Sequence, residues 1–163
     1  MRECDHNIGS LEERANCAIS KIQENSIYFA HPVNYYVGGK FNVHGDKETE
    51  LMQCLSKEFP EYNPYNPNQT YNQENYVFWK ENTGSGMDYF YDVILSNMEA
   101  GVVLPFEDGM IGAGAFGEME YLQTSRKPIW EINESGIITP IKELDYSRKL
   151  SVPDTQTRVY SKK

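Results

Sequence analysis

The chain has 163 residues, a formal net charge of −9 and a pI near 4.8. This length suffices for one domain that buries a hydrophobic core without disulfide bonds, and we expect a single domain over residues 1–163. The negative charge argues against nucleic acid or a membrane as the main partner, because nucleic acids and anionic membranes are bound through clustered Lys and Arg side chains.

The number and spacing of the three cysteines indicate the redox state of the compartment. Cys4, Cys17 and Cys54 are odd in number and have no C-x-x-C spacing, which favours free thiols in a reducing environment over a disulfide framework or a zinc site. Residues 1–20 are charged and lack the apolar segment of a signal peptide, and no stretch reaches transmembrane length. We therefore expect a cytoplasmic protein.

Helical and strand patterns alternate along the chain. Helices are predicted where apolar residues recur every three or four positions, and strands where short apolar runs are rich in β-branched or aromatic residues. In chain order the patterns predict a helix over 11–23, a strand over 27–30, helices over 46–59 and 87–98, a strand over 102–104, a helix over 115–124 and strands over 127–132 and 136–140. This alternation predicts an α/β fold, a flavodoxin- or Rossmann-like three-layer α/β/α arrangement with a mainly parallel sheet of about five strands.

Two segments lie outside this alternation. Residues 1–25 are predicted to be an N-terminal helical extension, in which Ser10 caps the first helix and Glu12 and Glu13 follow in its first turn, as the helix dipole prefers. Pro, Asn and Tyr dominate the start of residues 60–86, and a Gly-Ser-Gly sequence ends that stretch. It is predicted to be an irregular loop or lid.

Folds of this class bind ligands at the carboxyl ends of their strands. Three segments are expected at such strand ends and are therefore candidate binding residues: His31, Asn63 to Tyr65, where part of 61–64 is a possible short strand, and Phe106 to Asp108. His6 and His44 are expected to be exposed. No set of His, Cys, Asp or Glu has the spacing of metal ligands, so no metal is expected.

A glycine-rich loop precedes the helix predicted over 115–124. Gly112, Gly114 and Gly117 formally match G-x-G-x-x-G, but the dinucleotide fingerprint should follow its strand directly and have an acidic residue about 20 positions later. Here the loop comes late in the chain and residues 107–111 intervene after the strand, so no nucleotide cofactor is expected. Gly112 and Gly114 are instead candidates for letting a ligand approach the backbone.

Glu118 lies directly behind this loop. On many helices such a residue is simply solvated, but near a helix N-terminus the dipole and backbone N–H groups would keep its carboxyl ionised. An ionised, positioned carboxylate can attack the anomeric carbon of a sugar while a second carboxylate protonates the leaving group. Asp88, Asp92 and Asp108 are the candidates for that second role.

Several motifs, in this order and spacing, resemble the nucleoside 2-deoxyribosyltransferase family, over about residues 26–132. The principal ones are Ile-Tyr-Phe-Ala-His-Pro at 27–32, Gly-Ala-Phe-Gly-Glu-Met-Glu-Tyr-Leu at 114–122 and Lys-Pro-Ile-Trp at 127–130. Three further segments, 87–92, 106–109 and 150–155, resemble a less characterised branch of the same superfamily.

The resemblance implies roles for individual residues. Glu118 would attack C1′ of a nucleoside and form a covalent glycosyl-enzyme, which a second base or water would resolve. Tyr28 would orient Glu118 by a hydrogen bond. Asp92, or Asp88 one helical turn earlier, would contact the departing base and shuttle its proton.

The chain departs from the family pattern in one respect that concerns the sugar. The family usually has an Asp six residues before the nucleophile, where this chain has Gly112, and Asp108 would replace it only if the longer loop folds back. Family members form dimers to hexamers and can complete a site with a neighbour's C-terminal residues. The resemblance therefore implies a homo-oligomer, with Tyr160 as a candidate for such a contribution.

The expected function is cleavage or transfer at the N-glycosidic bond of a nucleoside or nucleotide. An unphosphorylated nucleoside is favoured because no Arg lies near the glycine loop. The alternative is a non-catalytic domain that binds, senses or sequesters a nucleotide-derived ligand, as the missing Asp and the unusual loops would suit.

Overall fold

A computed structural model describes residues 9–32, 34–35, 41–42 and 45–160. Its main sheet has five strands in the spatial order β4-β1-β5-β6-β7. All neighbours in this sheet are parallel except β6 and β7, which are antiparallel. The strands are β1 (Ser26–Ala30), β2 (Asn34–Tyr35), β3 (Phe41–Asn42), β4 (Asn63–Tyr65), β5 (Ala100–Val103), β6 (Ile129–Ile132) and β7 (Ile138–Pro140), of which β2 and β3 form a separate antiparallel pair.

Helices cover both faces of the main sheet. They are α1 (Leu11–Ile19), α2 (Asp46–Glu58), α3 (Thr70–Thr83), α4 (Met87–Tyr89), α5 (Ala113–Thr124) and α6 (Val152–Tyr160), and α4 continues through a π turn (Phe90–Ile94) and a 3₁₀ turn (Leu95–Asn97). A further 3₁₀ turn spans Tyr146–Arg148. The α/β class and the mainly parallel five-stranded sheet predicted from the sequence are confirmed.

Two hydrophobic clusters, one on each face, hold the three layers together. Strand β1 is buried along its whole length, and its side chains alternate between the clusters because successive side chains of a strand point to opposite faces. Tyr28 contributes to the cluster that includes side chains of α1, α3 and α5. Ile27 and Phe29 contribute to the cluster with α2 and α6.

A glycine in the sheet lets α5 pack closely over β5. A Cβ atom at Gly101 would lie 2.4 Å from Leu122 Cδ1 and 2.9 Å from Met119 Cε, so any side chain there would displace both of these residues of α5. The absence of a side chain at Gly101 therefore brings α5, and the residues of its second turn, close to the centre of the sheet.

The prediction of an irregular loop over residues 60–86 is wrong for most of that segment. The segment contains β4 and the 14-residue helix α3. Polar residues of α3 face the interior and are buried: Asn72 donates hydrogen bonds to Tyr65 Oη and Pro67 O, and Asn75 accepts one from Arg14. Because buried amides replace apolar residues on its inner face, α3 lacks the amphipathic pattern by which helices are recognised.

Two smaller expectations have clear outcomes. Ser10 caps α1 in a capping box with Glu13, as the sequence predicts. Cys17 is disulfide-bonded whereas Cys54 is free, so the expectation of free thiols is wrong at Cys17, and the thiols no longer support a reducing compartment.

Two further sets of expectations concern individual residues and membrane-spanning helices. His6, His44 and the side chain of Tyr160 lie outside the described residues. Within the described part of the chain, no helix is long and apolar enough to cross a membrane.

Candidate active site

A cavity of about 400 Å³ opens at the carboxyl ends of β4, β1 and β5. The chain passes from β1 to β4 on one side and later to β5 on the other, so β1 lies where the strand order reverses. Ligand sites of open α/β sheets are found at such a switch point. The cavity is lined by the end of β1, the loop after β4, residues of α3 and α4, the start of α5, and α6.

Glu118 and Tyr28 meet at the floor of this cavity. Glu118, the sixth residue of α5, is 8 % exposed, and Tyr28 in the middle of β1 is 1 % exposed. The Tyr28 hydroxyl donates a hydrogen bond to Glu118 Oε2. Both residues line the cavity, so the carboxyl is buried in the protein yet borders space that a ligand can enter.

Burial controls the ionisation of this pair. It raises the pKa of Glu118 to about 7, against the opposing effect of the Tyr28 hydrogen bond. The pKa of Tyr28 is raised well above its usual value, first by burial and then by the neighbouring Glu118, so Tyr28 remains a proton donor. The sequence-based expectation that α5 would keep Glu118 ionised is wrong, because Glu118 lies beyond the first helical turn and desolvation dominates.

The glycines before Glu118 differ in their surroundings. A Cβ atom at Gly114 would meet no heavy atom within 4 Å, whereas one at Gly112 would lie 3.1 Å from Thr155 Cγ2 and one at Gly117 only 2.6 Å from Tyr91 Oη. Gly114 and Gly112 both line the cavity. Gly114 therefore keeps space open for a ligand, while Gly112 and Gly117 allow close packing.

Helix α6 forms one wall of the cavity in its own chain, whereas the sequence predicted a contribution of this segment only through Tyr160 to the site of a neighbouring subunit. Thr155 Oγ1 accepts a hydrogen bond of 2.9 Å from the N–H of Ala113, the first residue of α5. Arg158 makes a bidentate ion pair of 2.8 and 2.7 Å with Asp108, and its guanidinium lies 5.2 Å from the Phe106 ring. The chain's own C-terminal helix thus covers the start of α5, and its exposed residue Gln156 lines the cavity.

A ring of four polar side chains lies beside the cavity, and two of them, His31 and Asn68, line it. His31 Nε2 lies 2.6 Å from Glu48 Oε2 and 2.9 Å from Asn68 Nδ2. Asn66 Nδ2 donates to Glu48 Oε1 at 2.8 Å, and Asn66 Oδ1 accepts from the Asn68 N–H at 2.9 Å. The side chains of His31 and Glu48 are 0 % and 4 % exposed. Of these residues only His31 was predicted from the sequence, since the others come from α2 and from the segment interpreted as a loop.

Aromatic side chains line another part of the cavity. Tyr76 of α3 and Phe90 line the cavity together with Met87, and the rings of Tyr76 and Phe90 have their centroids 6.2 Å apart. A Cβ atom at Gly86 would lie 2.6 Å from the Tyr76 ring, so this glycine allows the ring to lie against the backbone. The aromatic wall formed by Tyr76 and Phe90 is suited to stacking against a flat heterocycle.

The predicted site residues fall into two groups. Six of them line the cavity together: Tyr28, His31, Phe106, Gly112, Gly114 and Glu118. Three acidic residues do not. Asp88 and Asp92 are exposed, and Asp108 is held by Arg158, which lowers the pKa of its carboxyl. Among the described residues that line the cavity, Glu118 supplies the single carboxyl group.

Charged groups other than Glu118 contribute little to this site. No Lys or Arg belongs to the described residues that line the cavity. In the described ranges, no group of three or more His, Cys, Asp and Glu is placed to hold a metal ion.

Comparisons with models of protein families, with curated proteins and with solved structures each found no match.

Proposed function

We propose that the protein cleaves or transfers the N-glycosidic bond of a nucleoside through a covalent intermediate on Glu118, as the resemblance to nucleoside 2-deoxyribosyltransferases implies. The observation that carries the proposal is the buried Glu118 carboxyl, oriented by the Tyr28 hydroxyl at a cavity where Gly114 leaves room for a ligand. A desolvated, positioned carboxylate is the group that nucleophilic attack on an anomeric carbon requires.

The reaction proceeds in two displacements. A Glu118 carboxylate oxygen attacks C1′ as the C1′–N bond breaks, and the bonding electron pair leaves with the base, whose nitrogen takes a proton from water in the cavity. In the second step the nitrogen of another base, or water, attacks C1′, the C1′–O bond to Glu118 breaks to release the carboxylate, and the attacking group gives its proton to the hydroxide left by the first step. Tyr28 keeps its proton throughout and holds the carboxylate oxygens in position.

The charge of the cavity favours an unphosphorylated substrate. A phosphate group in a protein site is normally met by Arg, Lys or a set of backbone N–H groups. The described cavity lining contains neither Lys nor Arg, and the first N–H of α5 is already bonded to Thr155. A nucleoside, whose sugar and base are uncharged, is therefore the preferred substrate.

A second candidate is a domain that binds a nucleoside-derived ligand without turnover. It is favoured by the positions of Asp88 and Asp92, which are exposed and do not line the cavity. A glycosidase that uses two carboxyl groups needs both at the scissile bond. A pKa of about 7 at Glu118 also leaves a substantial neutral fraction at physiological pH, as a hydrogen-bonding role would allow.

Incubation with the four 2′-deoxynucleosides, with and without a second free base, separates these functions when the products are resolved by chromatography. A new nucleoside carrying the second base establishes a transferase, and free base alone establishes a hydrolase. Glu118→Gln should lower the rate at least about 1,000-fold, as expected when a nucleophile is removed. Glu120→Gln, on the same helix but outside the cavity lining, is the matched control.

The same experiment can reject the catalytic proposal. Activity that persists in Glu118→Gln would exclude Glu118 as the nucleophile. Absence of product in the wild type, together with calorimetric binding of a nucleoside by both wild type and Glu118→Gln, would instead favour the non-catalytic domain.

A further inference from the structure

Tyr28, the hydrogen-bond partner of Glu118, packs against a second tyrosine. Tyr28 of β1 and Tyr65 of β4 are direct partners in the parallel register of the two strands, so their side chains lie on the same face of the sheet. The two rings stack with their centroids 6.2 Å apart and their planes inclined by 23°. Tyr65 is the last residue of a three-residue strand at the edge of the described sheet, so its position depends on side-chain contacts as well as on strand pairing.

The hydroxyl of Tyr65 is held by the buried amide of Asn72. Asn72 of α3 is 0 % exposed, and its Nδ2 donates to Tyr65 Oη at 2.8 Å and to Pro67 O at 2.9 Å. The contact with Pro67 determines the orientation of the amide, because a carbonyl only accepts hydrogen bonds and the amide atom that faces it must be the nitrogen. Asn72 Oδ1 therefore accepts the hydrogen bond from the Tyr89 hydroxyl. A further hydrogen bond of 2.8 Å joins the hydroxyls of Tyr65 and Tyr71.

The hydrogen bonds of Asn72 join α3 to three other parts of the chain, namely β4, the loop after β4 and α4. Burying an amide is costly unless both its nitrogen and its oxygen are bonded, and a fully bonded amide holds its partners in one arrangement. An apolar side chain would fill the same interior position without that cost. The amide of Asn72 therefore serves to hold its partners, and Tyr65 is the partner whose ring contacts Tyr28.

We propose that Asn72 is a positioning residue of the site: it fixes the Tyr65 ring against Tyr28 and thereby keeps the Tyr28 hydroxyl directed at Glu118. This inference rests on the proposed function, in which Tyr28 orients the nucleophile. The hydroxyl lies at the far end of the Tyr28 side chain, so a small displacement of the ring moves it away from the carboxyl. Because hydrogen bonds weaken steeply as their angle departs from linearity, a loosened ring would weaken the bond to Glu118.

The ionisation of Glu118 reports whether the Tyr28 hydroxyl is in place. Burial raises the pKa of Glu118 to about 7, and the Tyr28 hydrogen bond opposes that effect. Among the described residues, Tyr28 and Tyr91 are the groups whose own pKa values are raised by Glu118, in both cases after the larger effect of burial. His31 and Tyr76 are the other titratable groups of the described cavity lining. Weakening the bond from Tyr28 should therefore raise the pKa of Glu118 further.

Tyr65→Phe tests the proposal, because it retains the ring beside Tyr28 and removes the hydroxyl that Asn72 holds. The pKa of Glu118 is measured by carbon-13 NMR titration of protein labelled at the glutamate carboxyl carbons, with Glu118→Gln identifying the resonance. We expect Tyr65→Phe to raise this pKa by about 0.5 and to lower the rate of base release at pH 7 about 2-fold. Tyr62→Phe, the same change beside the hydrophobic cluster on the other face of the sheet, should leave both unchanged.

Asn72→Leu, which keeps a side chain of similar size, removes all three hydrogen bonds of the amide. It should raise the pKa of Glu118 at least as much as Tyr65→Phe does. In the Tyr28→Phe background neither change should move this pKa further, since both act through Tyr28. A purely structural role would lower the free energy of unfolding and leave the pKa of Glu118 at its wild-type value. If Asn72→Leu does not fold, the comparison of Tyr65→Phe with Tyr62→Phe still decides.

Failure of this inference can be distinguished from failure of the proposed function. An unchanged pKa of Glu118 in Tyr65→Phe or in folded Asn72→Leu overturns the inference and leaves the function intact. A shift of the same size in the Tyr28→Phe background has the same consequence, because it would show that the effect does not pass through Tyr28. The titration needs no substrate, so a wild type that converts no nucleoside rejects the proposed function while the titration still decides whether Asn72 holds Tyr28 at Glu118.

Discussion

Two buried carboxyl groups, Glu118 in the cavity lining and Glu48 behind the lining residue His31, differ in how completely they are hydrogen-bonded. Glu48 is hydrogen-bonded at both oxygens, by Asn66 and by His31, and is 3 % exposed. Glu118 is 8 % exposed and has Tyr28 as the hydrogen-bond partner of one oxygen. A fully bonded acid holds a structure together, whereas an acid at a cavity whose second oxygen has no partner in the described part of the chain retains the capacity to react or bind.

The largest expected effect on stability comes from breaking the fully bonded group. Glu48→Ala should lower the free energy of unfolding by about 3 kcal/mol or more, because His31 and Asn66 lose their partner inside the protein. Urea denaturation monitored by circular dichroism measures the change, with the exposed Glu50→Ala on the same helix as the control. A loss equal to that of the control would show that the ring contributes nothing to stability.

Replacing Glu118 is expected to raise the free energy of unfolding, the opposite of the effect at Glu48. Its pKa is raised from 4.5 to about 7 in the folded protein, so the ionised group destabilises the fold. The destabilisation is absent below about pH 4.5, grows as pH rises to about 7 and is then complete at about 3 kcal/mol. Glu118→Gln, which stays neutral, should therefore be more stable than the wild type at pH 8 and about equally stable at pH 4.5.

Denaturation of both proteins at pH 4.5 and pH 8 gives this difference. An advantage of Glu118→Gln that is the same at both pH values would show that ionisation of Glu118 is not its cause. Glu120→Gln, measured alongside, corrects for the loss of a charge on the same helix.

Tyr28→Phe is expected to lower the reaction rate, by less than Glu118→Gln does. The Tyr28 hydrogen bond lowers the pKa of Glu118, so its removal should raise that pKa further and leave less nucleophile at neutral pH. Base release at pH 7 should fall by about 10-fold, and the rising limb of the pH–rate profile should move to higher pH. A fall in rate with an unmoved profile would limit Tyr28 to a steric role.

The smallest effect is expected at Asp108, a carboxyl group that is paired but exposed. Its side chain is 46 % exposed in the bidentate pair with Arg158, and such surface pairs contribute about 1 kcal/mol or less because solvent screens them. Asp108→Asn should therefore shift the unfolding midpoint in urea only slightly, and less in high salt. A loss comparable to that of Glu48→Ala would contradict the view that burial decides the energetic importance of these pairs.

Parts of the site were predictable because their signals are local. Tyr28 lies in an uninterrupted apolar strand, and Glu118 follows a glycine loop at the start of a helix. Glu48 gave no such signal, since it is one acidic residue among several on α2, and its burial depends on His31 and Asn66 from other elements. Asn68 lies in a Pro- and Asn-rich segment whose composition is typical of a loop. The helix α3 that follows it was not predicted either, because its interior contacts are polar.

The roles proposed for Asp88 and Asp92 show the limit of spacing arguments. Four-residue spacing implies that two side chains share a helix face, but it does not say whether that face meets a cavity or the solvent. The structure places both carboxylates on the exposed side, in the segment where α4 continues into a π turn. The spacing therefore identified two candidate residues, but in the folded protein their helix face meets solvent and not the cavity.

The amino-acid sequence by itself determined the alternation of strands and helices, the capped start of α1 and the glycines that open the loop before α5, because these depend on neighbouring residues. Tertiary structure decided the ionisation of Glu118, the closed ring around His31 and the wall supplied by α6. Desolvation and hydrogen bonding between distant segments arise only when the chain is packed, so a carboxyl that local rules would keep ionised acquires a pKa of about 7.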